Sequence, residues 1–214
     1  MSSKPKQIDT SLRQFIKDLG YISGGAALLA TTPWLQSFTP DKAKEMKKEK
    51  ARIGFIGTGS RGQYSIHAVS TIPHAEIVAL CDNFAPNLQA ASELCPNAKT
   101  YTDYRKLLES PDVDGVIIST PLYLHAPMTL DALSAGKHVY CEKSMALTME
   151  ECKAVYDAYQ GTDRVLYFCM QRMFDEKYIK GMQMIHSGLI GELVGERCYW
   201  FRNHDWRRPV PSPE

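Results

Sequence analysis

The feature that most constrains this fold is a glycine-rich turn that follows a short apolar run. Residues 51–56 read Ala-Arg-Ile-Gly-Phe-Ile, and Gly57, Gly59 and Gly62 then recur in the spacing Gly-x-Gly-x-x-Gly. A helix that starts from such a turn directs the unpaired N–H groups of its first turn, and the positive end of its dipole, toward a phosphate. Gly57 permits the tight turn, Gly59 the close approach of a pyrophosphate, and Gly62 the packing of helix on strand. The spacing therefore predicts a dinucleotide-binding turn.

An acidic residue follows this turn at the spacing that suits a ribose. Asp82 comes twenty residues after Gly62 and stands just beyond the apolar run Ala75–Leu80, which predicts a second strand. Its carboxylate would accept hydrogen bonds from an adenosine ribose diol and repel a 2′-phosphate. Asn83, the next residue, adds no positive charge. We therefore expect NAD in preference to NADP; the alternative is an ordinary turn beside a solvated aspartate.

The composition excludes several classes of protein. The 214 residues carry a formal net charge of +1, which gives no basic footprint for nucleic acid. No apolar run reaches the roughly 20 residues that a membrane-spanning helix needs. The six cysteines are scattered, without a Cys-x-x-Cys pair or a histidine at zinc spacing. We therefore expect no nucleic-acid partner, no integral membrane span, no structural metal and no disulfide scaffold.

Residues 1–50 have the layout of an export signal followed by a charged linker. Four basic residues precede the mildly apolar stretch Leu19–Ala30, namely Lys4, Lys6, Arg13 and Lys17. A basic segment before a short apolar one is typical of a signal peptide. Residues 11–17 resemble a twin-arginine signal, with Leu12 where the first arginine belongs. We expect an exported or periplasmic protein if this leader works as such a signal and a cytoplasmic one otherwise; the alternative for the segment is a mobile amphipathic tail.

The chain from Ala51 onward alternates apolar runs with amphipathic stretches. Strands are predicted at Ala51–Ile56, Ala75–Leu80, Gly115–Ser119, His138–Cys141 and Val165–Met170. Helices are predicted at Arg61–Ser70, Pro86–Cys95, Tyr104–Glu109, Ala126–Ala135 and Met149–Gln160. Thr148 and Glu151 form a capping-box pattern before the last helix, and Gly136 is placed to end the one before it. The alternation predicts an α/β fold, a Rossmann doubly wound parallel sheet over residues 51–172.

Polar residues follow several of these strands. Asp82, the pair Thr120-Pro121, the pair Glu142-Lys143 and Gln171 all fall on loops after predicted strands. Because the carboxyl ends of parallel strands meet at one edge of a sheet, we expect these residues to share one site.

Residues 173–214 predict the start of a second domain. A connecting helix is predicted near Lys177–Ser187, and Gly191–Arg202 alternates like a strand of a new sheet. We expect an α+β substrate domain that this sequence begins and does not complete.

Several motifs, taken in order, resemble the Gfo/Idh/MocA family of NAD(P)-dependent oxidoreductases. The matching segments are residues 52–62 around the glycine turn, 79–82 (Ala-Leu-Cys-Asp), Thr120-Pro121 with His125, 135–139 (Ala-Gly-Lys-His-Val), 141–143 (Cys-Glu-Lys), Gln171-Arg172 and 187–193 (Ser-Gly-Leu-Ile-Gly-Glu-Leu). The Gly-Lys-His-Val and Glu-Lys segments in tandem are the most specific of these. The resemblance covers the chain from about Ala51 to its end.

The resemblance implies an activity and a set of site residues. It implies hydride transfer between a carbohydrate or polyol hydroxyl and the nicotinamide of NAD, in a protein that forms homo-oligomers. It implies that Lys143 contacts the nicotinamide or the substrate and polarises the reacting hydroxyl; the alternative is a solvated surface cation. In the family the Glu-Lys motif usually continues with proline, which commonly sets a cis bond. Ser144 stands here instead, and we expect it to loosen the geometry around Lys143.

The predicted site combines the glycine turn with the strand-end loops. Lys143 is the predicted catalytic residue. The predicted cofactor-binding residues are Gly57, Thr58, Gly59, Ser60, Arg61, Gly62, Asp82, Asn83, Thr120, Pro121, Leu122, His125, Glu142, Lys143 and Gln171. Two of them keep alternatives: Arg61 pairs with a phosphate or lies on the surface, and His125 contacts the cofactor near its ribose or caps the following helix.

Two other functions fit the same sequence. A branch with a similar N-terminal half, the NAD-dependent α-N-acetylgalactosaminidase type, oxidises a sugar transiently so that the glycosidic bond leaves by elimination. The Ser60-Arg61 pair, Cys81-Asp82 and the export-like leader suit that branch, whereas Glu142-Lys143 suits a dehydrogenase. The second alternative is a dinucleotide-binding module without catalysis.

Overall fold

A six-stranded parallel sheet forms the centre of the computed structural model, which describes residues 50–201. Its strands are β1 (Ala51–Ile56), β2 (Ala75–Cys81), β3 (Lys99–Tyr101), β4 (Gly115–Ile118), β5 (His138–Glu142) and β6 (Leu166–Cys169). They lie in the order β3-β2-β1-β4-β5-β6, and every neighbouring pair is parallel. The order reverses between β1 and β4, so the carboxyl ends of these two strands form the topological switch point of the sheet.

Helices connect the strands in sequence. They are α1 (Ser60–Ser70), α2 (Ala85–Leu94), α3 (Tyr104–Leu108), α4 (His125–Ser134), α5 (Met149–Gln160) and α6 (Glu176–His186), with one 3-10 turn at Leu122–Leu124. The alternation and the strand order are those of a doubly wound Rossmann fold. The predicted α/β class is therefore confirmed.

The sheet buries an apolar cluster on each face. Alternate residues of each strand face opposite sides of a sheet, so neighbouring positions enter different clusters. One cluster packs α1 and α2 on the sheet and includes Phe55, Ile66, Val69, Leu80 and Ile117. The other packs α3 and α4 on it and includes Ile56, Leu107, Ile118, Ala132 and Cys141. With both faces covered, the strands read as nearly continuous apolar runs, which is why the sequence shows them clearly.

The two predicted helix ends are present. At the start of α5, Thr148 accepts from the Glu151 N–H while the Glu151 carboxylate accepts from the Thr148 N–H, a complete capping box. At the end of α4, Gly136 has a φ of 70°. Its N–H donates to the Leu133 carbonyl, and that of Lys137 to the Ala132 carbonyl, each at 2.9 Å. This pair of bonds is the Schellman motif, which satisfies the last carbonyls of the helix.

The structure differs from the sequence-based expectation at two strands. β3 was not predicted, because its three residues include the exposed Lys99 and Thr100 and carry no apolar run. Conversely, residues 191–201, the described part of the strand predicted at Gly191–Arg202, contain no strand. A strand requires a hydrogen-bonded neighbour, and the second domain that would supply one stays a prediction.

The chain divides into two units, Met1–Ile179 and Lys180–Glu214. The leader predicted for residues 1–50 lies outside the described residues, apart from Lys50. Within residues 50–201 no helix combines the length and apolar character needed to cross a membrane.

Candidate functional site

The glycine turn joins the end of β1 to the start of α1, and its backbone packs too closely on neighbouring backbone for side chains at Gly57 and Gly62. Gly57 has a φ of 87°, and a Cβ on it would lie 2.9 Å from the backbone carbon and oxygen of Ser119. A Cβ on Gly62 would lie 2.2 Å from the Gly57 carbonyl oxygen. A side chain at Gly57 would therefore push the turn away from the end of β4, and one at Gly62 would push α1 away from the turn. The close packing predicted for Gly62 is seen directly in this contact.

The start of α1 is open to an anion. Its N-cap is Gly59, which supplies no side-chain hydrogen bond, and no acidic residue lies in the first turn. A Cβ on Gly59 would meet only the Asn87 amide nitrogen, at 3.4 Å. Unpaired N–H groups and the helix dipole favour a negative charge at this place. The turn and the helix start thus fit the pyrophosphate of a dinucleotide.

Asp82 fixes this turn to the end of β2. Its Oδ2 accepts from the Thr58 backbone N–H at 2.8 Å and from the Thr58 hydroxyl at 3.3 Å, and its Oδ1 accepts from the Phe84 N–H at 2.9 Å. The Asn87 amide donates to Oδ2 at 3.4 Å. A carboxylate held here accepts hydrogen bonds only, which suits a ribose diol. Asn83 is exposed beside it.

Arg61 and Glu142 form an ion pair between α1 and the end of β5. Arg61 Nε donates to Glu142 Oε1 at 2.6 Å, with 47% of the arginine side chain exposed and 8% of the glutamate. The guanidinium also lies 5.2 Å from the centroid of the Tyr64 ring. Burial opposes the charge of Arg61, but the hydrogen bond and charge of Glu142 outweigh it and raise the arginine pKa. The structure therefore joins two predicted site residues and neutralises a buried carboxylate at the sheet edge.

His125 is buried between two loops. Its Nδ1 lies 2.7 Å from the Ser144 carbonyl oxygen and its Nε2 lies 2.9 Å from the Thr120 carbonyl oxygen. The N-cap of α4 is Leu124, and no side chain caps it. The alternative role of His125, as a side-chain cap of this helix, is therefore not seen, and its predicted contact with the cofactor stays a prediction. The histidine instead spans the loops that follow β4 and β5.

Lys143 stands at the surface immediately after the buried Glu142. Its ammonium has no hydrogen-bond or ion-pair partner within residues 50–201. The peptide bond between Lys143 and Ser144 is cis. The loosening of the geometry around Lys143 that Ser144 is expected to bring stays a prediction.

The remaining predicted residues lie on the same edge of the sheet. Ser60, Pro121, Leu122 and Gln171 are exposed. The Thr120 hydroxyl lies 3.6 Å from the Met128 sulfur. Gln171 follows β6, next to β5, and no hydrogen bond in the described part of the chain joins it to the other candidates.

Sequence reasoning missed two polar residues of this site. The Ser119 hydroxyl is buried without a partner in the described structure, and a Cβ on Gly62 would lie 3.9 Å from the Ser119 Cβ. An unsatisfied hydroxyl at the switch point fits a site that a ligand completes. Asn87 was missed because its role depends on where α2 begins. For Ser119, the position directly after the apolar run Val116–Ile118 was the available signal.

The described residues 50–201 hold no group of three or more histidine, cysteine, aspartate or glutamate side chains suited to a metal ion. The polar groups described above belong instead to the turn, the ribose-side carboxylate and the strand-end loops.

The sequence of this chain is similar to those of known proteins. Residues 51–169 match the sequence model of the Gfo/Idh/MocA group, described as the oxidoreductase family with an NAD-binding Rossmann fold. An alpha-N-acetylgalactosaminidase from Shewanella oneidensis is 32% identical in an alignment 207 positions long that covers 87% of this chain and 45% of that protein. The chain thus spans about half the length of this relative.

Solved structures show the same likeness. Scyllo-inositol dehydrogenase from Lactobacillus casei, with bound NAD(H) and scyllo-inositol, is 26% identical with a TM-score of 0.62 over 67% of this chain and 43% of that one. The WlbA dehydrogenase from Bordetella pertussis, in complex with NADH and UDP-GlcNAcA, is 27% identical with a TM-score of 0.63 over 67% of this chain and 41% of that one.

Proposed function

We propose that this chain, which belongs to the Gfo/Idh/MocA oxidoreductase family with the NAD-binding Rossmann fold, oxidises a hydroxyl group of a carbohydrate or polyol by hydride transfer to NAD. The observation that carries the proposal is the uncapped start of α1 behind the glycine turn, with the Asp82 carboxylate bonded to that turn. The bound sugar derivative or polyol in two structural relatives supports the substrate class.

The residues around the turn would hold the two halves of NAD. The first turn of α1 would receive the pyrophosphate, and Asp82 would accept hydrogen bonds from the adenosine ribose. The same carboxylate would repel the 2′-phosphate of NADP. When bound, NAD supplies the nicotinamide carbon that accepts the hydride.

The Glu142-Lys143 pair would serve the substrate side. Arg61 neutralises the buried Glu142, which leaves the exposed Lys143 ammonium as the positive group of this loop. In the proposal, Lys143 Nζ donates a hydrogen bond to the substrate hydroxyl oxygen. That bond stabilises the negative charge that develops on the oxygen as its proton passes to solvent water and the hydride to the nicotinamide.

Replacing Lys143 tests this role. Lys143→Met keeps the length of the side chain and removes the ammonium. We expect NADH formation from NAD⁺ and a responsive sugar or polyol to fall by about 100-fold, the size of a lost proton-handling group. NADH absorbance across a substrate panel measures it.

A matched control uses an exposed lysine on α5. Lys153 pairs with Asp157 on the helix surface, and Lys153→Met should leave the rate unchanged. Undiminished turnover by Lys143→Met would remove Lys143 from the mechanism.

A second candidate is an NAD-dependent glycoside hydrolase. The observation that favours it is the 32% identity to a protein named alpha-N-acetylgalactosaminidase. In this reaction the sugar hydroxyl is oxidised, the neighbouring C–H becomes acidic, the glycosidic oxygen leaves by elimination, water adds, and the hydride returns to the sugar. NAD is therefore regenerated in each turnover.

One assay separates the candidates. Release of nitrophenol from a nitrophenyl α-N-acetylgalactosaminide without net NADH supports the hydrolase. Accumulation of NADH with free sugars or polyols supports the dehydrogenase. Binding of NAD with neither product would indicate a module without catalysis.

A further inference from the structure

We propose that His125 is a positioning residue that ties the loop after β4 to the loop after β5 and thereby sets the place of Lys143 beside the nicotinamide. The inference rests on the proposed function, because it assigns His125 to the nicotinamide half of the NAD site. It differs from the predicted role of His125 as a cofactor ligand.

The contacts of the imidazole carry the proposal. His125 is only 2% exposed, and its ring nitrogens face carbonyl oxygens of two different loops. The Ser144 carbonyl, at 2.7 Å, is nineteen residues away in sequence, and the Thr120 carbonyl, at 2.9 Å, is five residues away. With both nitrogens occupied by backbone, the ring is engaged in holding loops together.

The hydrogen-bond chemistry explains why a histidine is suited to this place. Carbonyl oxygens only accept, so each ring nitrogen must carry a proton in order to donate to its partner. A neutral ring donates to one loop, whereas a doubly protonated ring donates to both. The planar ring also fixes the separation of the two donors, which a flexible side chain does not.

The bridge reaches the cofactor turn through Thr120. A Cβ on Gly57 would lie 2.9 Å from the Thr120 methyl carbon, so this side chain lies against the glycine turn. At the other end, Ser144 directly follows Lys143. A continuous series of contacts therefore runs from Gly57 through Thr120 and His125 to the residue after Lys143.

This arrangement predicts a selective defect. The pyrophosphate and adenosine half of NAD would meet the start of α1 and Asp82, which His125 does not contact. The nicotinamide half would meet the loops that His125 joins. Loss of the bridge should therefore weaken NADH and spare ADP-ribose, which has the same adenosine, pyrophosphate and ribose but no nicotinamide.

The experiment measures the dissociation constants of NADH and ADP-ribose for the full chain and for variants. His125→Phe keeps a ring and removes both ring nitrogens. We expect NADH to bind about tenfold more weakly, the cost of lost buried hydrogen bonds, with ADP-ribose within about twofold of the unsubstituted chain. His74→Phe is the matched control. His74 is exposed just before β2, at the end of that strand away from Asp82 and the candidate site.

Two further variants keep the test informative if His125→Phe does not fold. In His125→Asn the amide nitrogen lies near the place of Nδ1, and in His125→Gln it lies near that of Nε2, so each retains a donor toward one loop. Both should weaken NADH binding selectively, with thermal unfolding measured in parallel.

Equal weakening of NADH and ADP-ribose binding, or unchanged NADH binding in a folded variant, overturns the proposed role of His125. Failure of the unsubstituted chain to bind either ligand overturns the proposed function instead.

Discussion

Asp82 and Asn87 show how single residues shape the ribose side of the site. Spacing from the glycine turn was enough to predict the position of Asp82 directly after β2, because the length of a strand-helix-strand unit fixes where β2 ends. Asn87 could not be found in this way. It lies in the first turn of α2, where its amide reaches both Asp82 and the neighbourhood of Gly59.

Asn87→Asp should weaken NADH binding. The substitution replaces a donor that lies 3.4 Å from Asp82 Oδ2 with a second carboxylate. Repulsion between the two carboxylates, and between the new one and a pyrophosphate at Gly59, should raise the dissociation constant about tenfold. Quenching of intrinsic fluorescence by NADH measures it.

Asn97→Asp provides the control, since it makes the same change of charge at an exposed position before β3. Equal weakening by both variants would indicate a general charge effect and would exclude a specific role for Asn87.

At the scale of elements, a partly exposed ion pair adds to the parallel pairing of β1 with β4. Arg52 on β1 donates from Nη2 to Asp114 Oδ1 at 2.7 Å and from its backbone N–H to Oδ2 at 2.9 Å. Asp114 directly precedes β4. The pair therefore aligns the two strands whose carboxyl ends form the switch point.

Asp114 should make the stability of the fold depend on acid. Burial acts to raise the pKa of its carboxyl, but the hydrogen bonds and charge of Arg52 lower it below its ordinary value of 3.8. A carboxylate with a lowered pKa stabilises the fold above that ordinary value, and this contribution is lost as the pH falls through the lowered pKa. Asp114→Asn should cost roughly 1 kcal/mol of unfolding free energy at neutral pH, since such a pair is screened by solvent.

Urea unfolding at a series of pH values measures this effect. The difference between Asp114→Asn and the unsubstituted chain should shrink as the pH falls below 3.8. Asp112→Asn is the control, because Asp112 also approaches Arg52 but has 80% of its side chain exposed. A difference for Asp114→Asn that stays constant with pH would contradict the assignment.

Elements with strong apolar patterns could be predicted from the sequence, and the rest depended on tertiary partners. β1, β4 and β5 are buried on both faces, so their apolar runs identify them. β3 is an edge strand whose pairing to β2 stabilises it without an apolar run. The motif predicted His125 as a site residue, but its contacts lie on two loops that only the fold brings together.

At the scale of the whole molecule, the two apolar clusters enclose cysteines that resemble ordinary core residues. Cys81 and Cys141 are buried in the cluster under α3 and α4. Burial, with a contribution from the charge of Asp82, raises the pKa of Cys81 to about 12, and burial raises that of Cys141 to about 12. Cys198 is exposed.

Alkylation with iodoacetamide should therefore report on the integrity of the whole sheet. In the folded chain at mildly alkaline pH, Cys198 should react because it is exposed, although the Glu196 carboxylate raises the pKa of its thiol. Cys81 and Cys141 should not react, because buried thiols lack both access and thiolate character. Peptide mapping by mass spectrometry measures the modified fraction at each cysteine. In urea all six cysteines should react; rapid labelling of Cys141 without urea would contradict the packing of this cluster.

The ion pair between Arg61 and Glu142 also bears on how the protein is made. The two residues are 81 apart in the chain, and ribosomes add about 5–20 residues per second. A growing chain therefore carries Arg61 for about 4–16 s before Glu142 is synthesised. During this time the glycine turn lacks the carboxylate that pairs with its arginine, and for much of it the Ser119 backbone against which Gly57 packs. In the proposed function the loops after β4 and β5 receive the nicotinamide half of NAD, so a nascent chain cannot hold the whole cofactor until β5 has been synthesised.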